Sequence, residues 1–292
     1  MYIVRISDGL GNQMYQYAFA KKIQLSTGRK VYLDTRFINH EDVFLRGEKD
    51  SFHEKCDHRE YGLKHFKISL PIADERILRR WKYLDRSNTI EELICQLSQR
   101  HLWPWQYRDD VIEKKCFDIR KYRHSTYIRG YFSDLQYYDD MKKLLQREFR
   151  LKDSIRVSSE LRDVLKEENT VSIHIRRGDF TKLSRDISQK KYYPRALEKI
   201  EKTIKKPIYL VFSDDIEWVK KNMEIHGKIL YISEMGFTDY EEFTIMKNCK
   251  HNIMANSTFS YWAAYLNENP NKTIVCPKRW NVNAIPKEWM CI

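Results

Sequence analysis

Short apolar runs alternate with helical stretches along much of this chain, most regularly in its second half. Residues 2–6 (YIVRI) form the first apolar run, a strand pattern. A glycine-bearing turn, Ser7-Asp8-Gly9-Leu10-Gly11-Asn12, leads into a helix predicted over 13–26, with Gly28 as its stop signal. Met14, Tyr15, Tyr17, Ala18, Phe19 and Ala20 make that helix apolar on most sides, so its first half should be buried. A second strand over 31–33 completes a βαβ opening, which predicts a parallel sheet with a right-handed crossover. Residues 36–125 mix charge with aromatics. Helical spacing returns near 72–84 and 90–99, and 101–105 (HLWPW) reads as an ordered loop. A strand over 127–132 and a helix over 135–149 follow. The chain changes character near 151–159, which divides it into 1–152 and 153–292, with the last residues expected to pack back on the first domain.

The second half is more regular. Strands are predicted over 171–175, 208–212, 229–232, 252–255 and 273–276. Between them lie helices that start near Pro194, a good first-turn residue, and that cover 216–222, 240–248 behind Asp239 as a cap, and 259–266. Strict alternation of strands and helices means a doubly wound α/β domain.

Ligands of such sheets bind just beyond the strand C-termini, and four predicted exits carry unusual chemistry. The run 171–175 (VSIHI) ends in Arg176 and Arg177, with Asp179 close behind. Paired guanidiniums suit a phosphate, because their planar forks never lose charge; a surface ion-pair cluster with Asp179 is the competing reading. Residues 9–13 feed a helix N-terminus. Ser213-Asp214-Asp215 could hold a metal, accept from a ribose or guanine, or cap the next helix. Asn256-Ser257-Thr258-Phe259-Ser260 could hold a diphosphate or merely cap. Phosphate-competent groups at successive strand ends of one sheet describe a nucleotide site. Neither GxxxxGK[ST] nor GxGxxG is present, which argues against a P-loop kinase and a dinucleotide oxidoreductase.

Composition narrows the partner. Of 292 residues, 32% are charged and the net charge is +12, pointing to an anionic partner. No lysine and arginine block and no nucleic-acid motif appears, so nucleic acid is not expected. Six scattered cysteines form no CxxC and no zinc spacing, as in a reducing compartment. With no signal peptide or membrane span to be seen, a cytoplasmic protein is expected, and the sequons at Asn256 and Asn271 should stay unused. The excess positive charge also suggests peripheral contact with an anionic membrane surface. Nineteen tyrosines offer flat rings with polar tips, useful against sugars, bases and interfaces.

Taken together, these motifs resemble family 11 glycosyltransferases, the α-1,2-fucosyltransferases, over nearly the whole chain. GLGNQMYQYAFA at 9–20 is similar to the family's N-terminal signature. HIRRGDF at 174–180 matches the HxRRxD motif shared by α-1,2-, α-1,6- and protein O-fucosyltransferases. FSDDIEWVK at 212–220 and ANSTFSYWAAYL at 255–266 resemble the two later motifs. Gly130-Tyr131-Phe132 with Tyr137 resembles a further segment, but Ser133 and Asp134 depart from the glutamine and serine expected there, which leaves their role open.

The resemblance implies a GT-B-like fold, two Rossmann-like parallel-sheet domains facing across a cleft. It implies GDP-β-L-fucose as donor, a galactose-containing glycan as acceptor, inversion at the sugar, and neither metal nor cofactor. Arg176 would grip the β-phosphate, with His174 and Arg177 shaping the same site. Asp214 or Asp215 would accept from guanine or ribose, and Asn256, Ser257, Thr258 and Ser260 would meet the phosphates. Gly11, Asn12 and Gln13 would line the cleft from the first domain. Asp179 is the first candidate for general base and Asp8 the second; the departing phosphate could also take the proton. The aromatic stretch 103–107 is a candidate acceptor platform. Two alternatives stay open: an α-1,6- or protein O-fucosyltransferase, and a non-catalytic nucleotide- or nucleic-acid-binding protein.

Overall fold

The computed structural model describes residues 1–38, 60–79, 108–112, 118–119, 125–182, 186–188, 191–278, 280 and 282–292. They divide into two compact units, Met1–Lys64 with Ile68–Met141, and His65–Lys67 with Lys142–Ile292.

The first unit holds β1 (Tyr2–Arg5), β2 (Val31–Asp34), β3 (Arg108–Ile112) and β4 (Ser125–Arg129) in the order β2-β1-β4-β3, every pair parallel. Helix α1 (Leu10–Thr27) joins β1 to β2 and ends at Gly28, whose φ of 66° is left-handed and whose N–H donates to the Gln24 carbonyl, as the sequence predicts. Its first half is buried on nearly all sides, and two of the buried polar side chains of the helix find partners: Lys21 Nζ donates to Ser69 Oγ at 2.7 Å, and Gln16 bonds Ser7. Of the helix expected over 72–84, α2 (Glu75–Arg79) is described; 90–99 and 101–107 lie outside the described residues. β4 starts two residues before the predicted strand and stops at Arg129, because Gly130 (φ 149°) and Phe132 (φ 53°) turn the chain out of extended geometry. The helix expected over 135–149 is broken. Two 3₁₀ turns, Leu135–Tyr137 and Asp139–Met141, precede α3 (Lys142–Glu148). Between the turns Tyr138 has a φ of −150° and places its fully buried ring 5.6 Å from that of Tyr15, so packing overrides helical spacing. Helix α3 belongs to the second unit, ahead of the division read at 152/153.

The second unit runs α4 (Ser159–Val164), β5 (Thr170–Ile175), α5 (Gly178–Lys182), α6 (Tyr192–Thr203), β6 (Ile208–Ser213), α7 (Ile216–Asn222), β7 (Lys228–Tyr231), α8 (Asp239–Asn248), β8 (His251–Ile253), α9 (Thr258–Leu266), β9 (Ile274–Cys276) and β10 (Met290–Cys291). Thr238, not Asp239, caps α8, in a reciprocal box with Glu241. The final residues, expected against the first domain, form the edge strand β10, and Ile292 packs on the core of this unit. The sheet order is β10-β9-β8-β5-β6-β7, all parallel. The chain therefore winds outward from β5 through β7, then returns to β8 on the other side. The reversal between β5 and β8 is the switch point at which Rossmann-type sheets receive ligands.

β5 is buried on both faces. Val171, Ile173 and Ile175 enter one apolar cluster with Tyr193, Ala196 and Ile200 of α6. On the other face Ser172 accepts from Asn252 at 2.7 Å, and Asn267 Nδ2 donates to Asn252 Oδ1 at 2.8 Å. This paired polar ladder ties β5 to β8 beneath the switch point.

Candidate functional site

The two arginines that leave β5 have different fates. Arg177 is buried: its Nε donates to Asp215 at 3.0 Å, its Nη1 to Asp186 at 3.0 Å and to Ser188 Oγ at 2.7 Å, and its guanidinium lies 3.7 Å from the Trp218 ring centroid. Its charge is paired inside the fold, where it positions its neighbours. Arg176 is only partly buried, and its Nη1 pairs with Asp214 Oδ2 at 3.1 Å. The backbone N–H of Arg177 donates to the other Asp214 oxygen at 2.8 Å. Asp214 thus locks the strand exit and aims Arg176.

Asp214 has both oxygens engaged, and Asp215 caps α7 by accepting from Trp218 N at 3.2 Å while pairing with Arg177. Both carboxylates are thus tied to an arginine, and each oxygen keeps a lone pair for a further donor. Among the described residues no group of three or more His, Cys, Asp or Glu is disposed to hold an ion. The glycine of the RRGD run has a steric reason: a Cβ on Gly178 would stand 2.7 Å from Asp214 Oδ2. Gly178→Ala is expected to push that carboxylate off Arg176, costing about 1–3 kcal/mol and lowering turnover, as melting and rate measurements would show. Asp179 stands on α5; its side chain lies outside the described ones.

His174, the last residue but one of β5, is buried, with its ring 5.6 Å from Phe259 at the start of α9. Its Nδ1 is buried without a hydrogen-bond partner. Burial, helped by Arg176, pushes its pKa down to about 3. The imidazole is therefore neutral near pH 7 and offers hydrogen bonds, not charge. Because this value lies below the ordinary 6.5, the unfolded chain takes up the proton first. The stability it contributes is complete above pH 6.5 and is lost toward pH 3, by ~1.4 kcal/mol per pH unit. Glu242, pushed up to about 7 by burial, titrates with the opposite sign in part of this window. The difference between the wild type and His174→Asn in urea unfolding isolates the histidine, and it should shrink at that slope from pH 6 to 5.

Across the switch point, Ser257 caps α9 and accepts from Phe259 N at 3.3 Å. Ser260 is buried and turns its hydroxyl back to the Ala255 and Ser257 carbonyls, so it supports the turn. Asn256 and Thr258 are partly exposed there, beside the positive end of the helix. Tyr193 Oη donates to the His174 carbonyl at 2.8 Å and Tyr192 Oη to the Met254 carbonyl at 2.7 Å, pinning the ends of the chain on either side. Sequence reasoning missed these tyrosines, as well as Asp186, Ser188 and Trp218. The adjacent Tyr-Tyr ahead of Pro194 and the Asp-x-Ser at 186–188 were the available signals.

In the first unit, Gln13 is fully buried and its amide is used up by the Asp8 and Glu60 carbonyls and the Gly62 N–H. It holds a loop and lines no opening. Gly11 is buried and Asn12 is partly exposed.

The model of glycosyl transferase family 11 matches residues 1–288. The chain belongs to glycosyl transferase family 11. Membership implies a nucleotide-sugar donor and a glycan acceptor. An α-1,2-colitosyltransferase of Escherichia coli is 26% identical to this family 11 chain, covering 99% of it and 98% of the relative. The O-antigen biosynthesis glycosyltransferase WbnK of Escherichia coli is 27% identical, with 94% and 93% covered. The mouse galactoside 2-α-L-fucosyltransferase Sec1 is 23% identical, over 91% of this chain and 64% of that one. No helix of the described residues is long and apolar enough to cross a membrane.

Proposed function

We propose that this chain transfers L-fucose from GDP-β-L-fucose to the 2-hydroxyl of a β-galactoside in a glycan, with inversion. The observation that carries the reading is the Arg176–Asp214 pair beside neutral His174 at the switch point between β5 and β8. The difficult event is separation of the sugar from GDP, which leaves charge on the β-phosphate. Arg176 and the α9 N-terminus supply fixed positive charge for it, which is electrostatic catalysis. In this reading no metal or cofactor takes part, and Asp179 accepts the acceptor proton. The net charge of +12 would favour an anionic membrane surface; vesicle binding should then weaken with salt.

The colitosyltransferase relative supports a second reading, transfer of colitose, the 3-deoxy form of fucose. A site that hydrogen-bonds the 3-hydroxyl rejects the deoxy sugar strongly, whereas an apolar lining discriminates weakly. The test is a competition between GDP-fucose and GDP-colitose on a β-galactoside panel in excess chelator, with product linkage read by NMR. An α-1,2-fucosyl product formed in preference supports the first reading. A preferred colitosyl product replaces the donor, and loss of activity in chelator removes the metal-free mechanism.

A further inference from the structure

The first unit has a switch point of its own. Its chain passes from β1 to β2 on one side, while β4 and β3 lie on the other, so the C-terminal ends of β1 and β4 are where an α/β sheet receives ligands. Two of the three non-glycine residues with left-handed backbone among the described residues stand there, Asp8 (φ 64°) after β1 and Phe132 (φ 53°) after β4. Such conformations persist where the surroundings hold them, and here they are held from beneath. Ser7 N donates to Gln16 Oε1 at 2.9 Å, Gln16 Nε2 donates to Ser7 Oγ at 2.9 Å, and Gln13 Nε2 donates to the Asp8 carbonyl at 2.7 Å. Phe132 is fully buried and stacks on Phe19 at 3.7 Å.

These anchored loops hold up a carboxylate and an aromatic ring. Tyr131 is 46% exposed, and its hydroxyl donates to Asp8 Oδ2 at 2.7 Å. Ser7 Oγ donates to the same oxygen at 3.0 Å. Both bonds fall on Oδ2, and Oδ1 receives none among the described residues. A carboxylate oxygen accepts strongly from hydroxyls, and a tyrosine ring offers an apolar face with a polar tip. The negative charge repels a diphosphate. The chemistry that satisfies both groups is a neutral pyranose, one C–H face on the ring and a hydroxyl on the carboxylate.

We infer that Asp8 and Tyr131 form a carbohydrate subsite that binds the galactoside of the acceptor glycan. The identity of that sugar rests on the function proposed above; the subsite itself lies wholly in the first unit. Asp8→Asn keeps shape and tolerates left-handed backbone, and Tyr131→Phe keeps the ring while Tyr131→Ala removes it. With saturating donor, Asp8→Asn and Tyr131→Ala should raise the acceptor KM roughly 10- to 100-fold, and Tyr131→Phe less. GDP affinity and donor KM should stay within about twofold of wild type. Ligand-observed NMR of a β-galactoside should lose its signal in the first two variants, a reading that needs no turnover. Unchanged acceptor KM and unchanged NMR signal in both variants would overturn the subsite, as would a parallel loss of GDP binding. If the wild type failed to bind GDP yet gave a galactoside signal sensitive to Asp8, the donor reading would fall and the subsite would stand.

Discussion

Arg176→Ala is expected to lower sugar transfer on the order of 10²–10³-fold, by analogy with removal of an oxyanion-hole donor, while the melting temperature changes little. Arg176 is partly exposed at the end of β5 and pairs there with Asp214. Asp214 stays held by the Arg177 N–H when the guanidinium is gone, so the fold keeps its strand exit. The loss should fall mainly on kcat if Arg176 acts on charge that develops as the bond to GDP breaks. Arg176→Lys restores charge without the fork and should recover part of the rate. Steady-state kinetics of the three proteins beside their melting curves check this; an alanine variant with wild-type kcat would remove Arg176 from the chemistry.

The neighbouring substitution should behave in the opposite way. Arg177→Ala strips the partners from Asp186, Asp215 and Ser188 and the cation from the Trp218 face. Removing one partner of a buried ion pair costs about 3–5 kcal/mol, which lowers the melting temperature by roughly 6–20 °C for a unit of this size. Arg177→Lys rescues little, since one ammonium cannot meet three acceptors held apart by a planar fork. Calorimetric melting decides: an Arg177→Ala protein that melts like wild type would show that the cluster contributes nothing to stability. Two adjacent arginines of one motif would thus separate into a catalytic and a structural residue.

Which of the two arginines turns inward was not legible in the chain. The alternation in 171–175 placed both arginines at a strand exit, and the structure has the exit there, but periodicity does not say which side chain turns inward. The partners that decide it, Asp186, Ser188 and Asp215, come from separate segments. The same holds for Asp214 and Asp215: the carboxylates were visible, their commitment to Arg176 and Arg177 was not. Local signals served better. Gly28 stops α1, 216–222 is helical as predicted, and the second sheet alternates as expected, because caps and short-range periods are written in neighbouring residues. The failures lie where tertiary packing competes with local preference, as at Tyr138, whose burial breaks the helix expected over 135–149. The strand Arg108–Ile112, with two adjacent aspartates, carries no alternation and was not anticipated.

Calorimetric titration of GDP into the wild type and Arg176→Ala tests most directly whether the switch point between β5 and β8 holds the nucleotide. The wild type should bind one GDP per chain with a shallow salt dependence, as for one diphosphate contact and unlike a nucleic-acid surface. The variant should bind at least about tenfold more weakly, a charged hydrogen bond having been lost. GDP binding that is absent from the wild type, or equally tight in both proteins, would contradict the assignment.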